Sequence, residues 1–77
     1  PNPSTDIINI DVTLVKEESV RITVCDATGR LLETVFDDKA AIESRFQWDG
    51  GRYGRGVYFI RVQSASVNKV VSVTILR

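Results

Sequence analysis

Apolar and polar residues alternate with a period of two through most of the chain. Ile8, Ile10, Val12 and Leu14 fall on one side of an extended segment, with Asn9, Asp11 and Thr13 on the other, because successive side chains of a strand point to opposite faces. Val20, Ile22 and Val24 alternate in the same way with Arg21, Thr23 and Cys25. That run stops at Asp26-Ala27-Thr28-Gly29, a tight reversal in which Asp can accept backbone N–H bonds and Gly tolerates positive φ. Residues 31–36 read as the returning arm of this hairpin, ending near Asp37-Asp38. Phe46 and Trp48 share one face of a fourth strand, which breaks at Asp49-Gly50-Gly51 and gives way to residues 52–56 as the longest flexible turn. Tyr58, Ile60 and Val62 face inward on a fifth strand, and Val71, Val73 and Ile75 on a sixth.

Only Lys39-Ala40-Ala41-Ile42-Glu43 has helix-forming composition, and it is far shorter than the roughly 12 residues at which a helix holds itself together. It is expected to be a connection. Six strands with turn signals between them predict an all-β antiparallel sandwich or barrel, with room for a seventh strand in residues 13–16 or 40–43. The inward members, Ile10, Ile22, Val24, Phe46, Trp48, Tyr58, Ile60, Val71 and Val73, are expected to form most of the core.

A chain of 77 residues makes one domain at most, residues 1–77. With one cysteine and no histidine it can close no internal disulfide and offers no Cys/His set for zinc, so regular packing has to stabilise it. Ten basic and ten acidic residues cancel, which argues against a nucleic-acid partner. No apolar run approaches the roughly 18 to 20 residues of a membrane-spanning helix. The start at Pro1 rather than methionine is expected of a piece of a longer protein.

Candidate chemistry is sparse. Cys25 lacks the histidine that would activate it, and reads as inert. Asp37 and Asp38 suggest calcium, but adjacent side chains of an extended segment point apart, so a solvated turn is the better reading. No cofactor, metal site or catalytic residue is expected. The loop with Arg52, Tyr53 and Arg55 is the best candidate for a binding surface, since arginine forks and an aromatic face engage anions or sugars.

Taken in order, Pro1-Asn2-Pro3, Asp26-Ala27-Thr28-Gly29-Arg30, Gly56-Val57-Tyr58-Phe59-Ile60 and Lys69-Val70-Val71 resemble the type A C-terminal sorting domain of the type IX secretion system. The resemblance covers essentially the whole chain. It implies an immunoglobulin-like antiparallel β-sandwich of six or seven strands at the end of a cargo protein. Such a domain is an export address, read in the periplasm by an outer-membrane translocon and cut away at the cell surface by a sortase-like signal peptidase. It performs no catalysis itself. Carried over by position, Pro1, Asn2 and Pro3 mark the junction with an N-terminal cargo, and Asp26, Gly29 and Arg30 form the hairpin motif. Gly56, Tyr58 and Lys69 form the signal nearest the C-terminus. Trp48-Asp49-Gly50 followed by Gly56-Val57-Tyr58 also resembles the immunoglobulin-like module of flagellar hook-capping and surface proteins. The alternative function is therefore an adhesive or glycan-binding module acting through Arg52, Tyr53 and Arg55.

Overall fold

The computed structural model describes residues 6–76. Six strands occupy them: β1 (Ile7–Thr13), β2 (Glu18–Asp26), β3 (Leu31–Ala40), β4 (Glu43–Asp49), β5 (Gly56–Gln63) and β6 (Asn68–Ile75). A single 3₁₀ turn, Gly50–Arg52, follows β4. All pairings are antiparallel. One sheet has the order β1-β4 and the other β3-β2-β5-β6, giving an all-β sandwich of unequal layers.

The period-two pattern explains the core. Val20, Ile22 and Val24 of β2 and Tyr58, Ile60 and Val62 of β5 are buried, facing Ile10, Val12 and Trp48 of the smaller sheet. Trp48, Ile22, Ile60, Val20 and Val24 are the largest fully enclosed side chains, each stabilising the fold by roughly 1.5 to 3 kcal/mol. The central position of β2 also buries Thr23 on the outer face, where Thr34 and Arg61 stand opposite it on the flanking strands.

Four expectations change. β3 does not end near Asp37-Asp38 but continues to Ala40, where it pairs with Glu18. The predicted connection shrinks accordingly, because Lys39 and Ala40 belong to β3 and Glu43 to β4. No seventh strand forms in residues 13–16 or 40–43 among the described residues. Val71 is 45% exposed despite its inward register, while Phe46 and Val73 are only half-buried against the core. The inward residues of β6 are therefore less covered than those of β2 and β5, except for the buried Ile75.

β3 also breaks the alternation. Register slips between Ile22 and Thr23 and between Val24 and Cys25 put extra residues on β3 at Val35 and Leu32. A bulge of this kind kinks the strand and re-aims side chains. Leu32, Val35 and Phe36 all pack on the core as a result, and Glu33 comes opposite the inward-facing Val24.

Candidate functional site

The hairpin between β2 and β3 is built around one carboxylate. The Gly29 N–H donates to the Asp26 carbonyl at 2.9 Å and the Asp26 N–H to the Arg30 carbonyl at 3.0 Å. Gly29 takes a φ of +91°, the left-handed conformation that closes this short loop and that side chains resist. Asp26 Oδ1 accepts from the Thr28 hydroxyl (2.6 Å), the Thr28 N–H (2.9 Å) and the Arg30 N–H (3.1 Å). The Thr28 hydroxyl chiefly, with the two backbone N–H groups, holds the Asp26 carboxyl below the usual carboxylate range. Arg30 approaches the other oxygen at 3.5 Å and remains mostly in solvent.

Asp26 stands directly opposite Tyr58 in the register of β2 and β5, and Gly56 stands opposite Ile75 of β6. The fold thus gathers Asp26, Gly29, Arg30, Gly56 and Tyr58 at one end of the sandwich, although 26 to 32 positions separate the two motifs in sequence. Tyr58 is buried, and its hydroxyl donates to the Gly54 carbonyl at 2.9 Å. Gly50 lies at the same end. A Cβ there would come within 2.7 Å of Ile75 and 3.0 Å of Trp48, so its lack of a side chain lets the last strand close against the indole. Lys69 is not part of this group. It pairs with Val62 near the opposite end of β6, about 20 Å from Ile75 at the usual rise of ~3.3 Å per residue. Pro1, Asn2 and Pro3 lie outside the described residues.

Sequence reasoning missed the organising residue of this end. Glu33 Oε1 accepts from the Trp48 indole N–H at 3.0 Å, the Arg52 guanidinium at 2.6 Å and the Tyr53 hydroxyl at 2.6 Å. Burial pushes the Glu33 carboxyl up, but the three donors together outweigh it and leave the group below the usual carboxylate range. The same contact, with burial, raises the Tyr53 phenol. Tyr53 stacks on Trp48 with ring centroids 5.8 Å apart, and Tyr58 meets the indole edge-on at 5.4 Å. The Arg52 guanidinium lies 5.6 Å above the Tyr53 ring. The turn expected to be flexible is therefore tied to the body of the domain. Of the three residues assigned to a binding loop, Arg52 and Tyr53 already serve this cluster, and Arg55 lies exposed beside it.

Among the described residues no group of three or more metal-ligating side chains converges, and no helix is long and apolar enough to cross a membrane. No curated protein and no solved structure gives a significant match to the chain. A family described as "Secretion system C-terminal sorting domain" matches residues 1–76. That match spans nearly the whole chain and carries the type IX sorting role with it, including attachment to a cargo, contact with the secretion machinery and export to the cell surface or beyond. On the strength of that match, the chain belongs to the family of type IX secretion C-terminal sorting domains.

Proposed function

We propose that this domain is a non-catalytic address that carries an N-terminal cargo through the periplasm to an outer-membrane translocon, and that a sortase-like signal peptidase removes it at the surface. The family match over residues 1–76 carries this reading. The arrangement of the motifs supports a division of labour among their residues. Asp26, Gly29, Gly56 and Tyr58 are engaged in turn geometry and core packing, so their part is to hold the fold. Arg30 and Lys69 are exposed and present charge, so they are the motif residues available to the machinery. By the family motif, Pro1, Asn2 and Pro3 mark the junction with the cargo. The adhesive alternative is the weaker one, because Arg52 and Tyr53 are occupied with Glu33.

The test is a fusion of the chain to the C-terminus of a periplasmic reporter in a type IX-competent host. Export of the reporter to the surface or medium is the expected outcome. Retention in the periplasm, while an authentic sorting domain exports the same reporter, overturns the assignment.

A further inference from the structure

The unequal width of the two sheets leaves part of the core face open. β4 packs over β3, where Phe36 and Phe46 meet at 4.5 Å and Glu33 bonds Trp48. β1 is paired beside β4, and the inward residues of β6 are the least covered of the larger sheet's inner strands, with β1 reaching them only across a cleft. The inward register of β6 is Lys69, Val71, Val73 and Ile75, opposite Val62, Ile60, Tyr58 and Gly56. Ile75 is buried, Val73 half-buried and Val71 exposed.

A cleft of about 170 Å³ lies there, walled by residues 8–11 of β1, Ile60 and Val62 of β5 and Lys69, Val71 and Val73 of β6. It is smaller than the roughly 300 to 1,000 Å³ of small-molecule sites. It suits instead the alternate side chains of one extended chain. β1 pairs only with β4, and β6 only with β5, so both strands bordering the cleft present an unpaired backbone edge among the described residues. Such edges are templates for strand addition, in which main-chain bonds supply affinity and alternate pockets supply specificity.

Charge narrows the occupant further. Lys69 shares the face of Val71 and Val73, and its side chain has no ion-pair or hydrogen-bond partner among the described residues. The nearby Asp11 carboxylate is already held by Arg45, at 2.6 Å and 3.3 Å. The Lys69 end of a mainly apolar groove, which Asn9 and Asp11 also line, therefore carries an ammonium group with no direct ion-pair partner among the described residues.

We propose that this cleft is a docking groove for an extended strand of a partner protein, which adds to the free edge of β1, sets alternate aliphatic side chains on Val71 and Val73 and places a carboxylate on Lys69. The inference rests on the export reading, with the strand supplied by the secretion machinery. β1 runs from the Val73 end of the cleft toward Lys69, since Asp11, Val12 and Thr13 line the Lys69 end. A strand antiparallel to β1 thus carries its carboxylate near its own N-terminus.

Titration of the full chain with an N-acetylated peptide Glu-Thr-Val-Thr-Val-Thr-Val, followed by amide chemical shifts and hydrogen exchange, tests the groove. Shifts and added protection should concentrate at residues 8–11 and 69–73. The acidic peptide should bind about fivefold more tightly than its counterpart with lysine in the first place, and Lys69→Glu should reverse that order. No binding, shifts elsewhere, or a preference untouched by Lys69→Glu overturns the proposal. So does a dimer of the chain alone that protects the same residues, which would assign the groove to a second copy. In the export host, Val71→Arg and Lys69→Glu should reduce secretion of the fused reporter while leaving the melting temperature of the domain near wild type. Undiminished export of both variants removes the groove and leaves the export function standing. Failure of the wild-type fusion alone removes the export reading instead, and the peptide titration then decides the groove by itself.

Discussion

Trp48 and Val71 are both inward-facing residues of alternating runs, yet the first is 1% exposed and the second 45%. Trp48 lies on β4 and is enclosed by Glu33 of the bulged β3, by Gly50 and Tyr53 of the turn that follows, and by Tyr58 of β5. Val71 lies on β6, where a cleft separates it from β1 and leaves it exposed. The same local pattern therefore yields a core on one side of the sandwich and an accessible apolar surface on the other. What differs is the layer above the strand. Asp26, Gly29, Gly56 and Tyr58 converge at the Ile75 end of the sandwich, so the residues that hold the fold lie toward the end of β6 away from Lys69.

The largest expected effect tests the closed side directly. Trp48→Ala removes the largest core side chain and strips Glu33 of a donor, at a loss of about 3 to 5 kcal/mol. A domain of this size has a total stability of the same order, so the variant should lose its cooperative thermal transition. Val71→Ala, by contrast, should change stability by less than about 1 kcal/mol. Similar losses for the two variants, measured by chemical denaturation, would mean that β6 is covered in solution.

Next in size is the hairpin. Gly29→Val forces a β-branched residue to positive φ and should destabilise by about 1 to 3 kcal/mol, whereas Arg30→Ala should stay within about 0.5 kcal/mol because Arg30 is mostly solvated. Equal melting temperatures would show that the loop relaxes into another turn.

The smallest effect sharpens the role of Glu33. Its folded carboxyl lies below the unfolded value, so the stability it contributes is present above the unfolded value of about 4.3 and is lost as pH falls through the lower folded value. Asp26 acts in the same direction. Melting temperature should therefore fall on acidification below about pH 4.3. Glu33→Gln keeps an acceptor for Trp48 and Tyr53 but not the charge. It should lower stability at neutral pH by about 1 kcal/mol and make the acid-side fall shallower. An unchanged slope would indicate that Glu33 titrates alike in the folded and unfolded chain.

Much of this molecule follows from local chemistry alone. Strict alternation on β2 and β5 put Val20, Ile22, Val24, Tyr58, Ile60 and Val62 on one face, and burial of that face is the sandwich. Asp26 and Gly29 announced their turn because only a short acceptor and a residue without Cβ suit those positions. The connection expected over residues 39–43 is shorter in the structure, since cross-strand pairing with β2 draws Lys39 and Ala40 into β3.

Tertiary structure decided the rest. Glu33 was invisible as a functional residue because perfect alternation places it outward; two register slips turn it toward Trp48. The loop at Arg52 and Tyr53 looked free because its tether to Glu33 crosses 19 and 20 positions of sequence. Val71 looked buried because a period of two tells which way a side chain points. It does not tell whether another layer stands there to receive it, and that depends on how many strands each sheet contains.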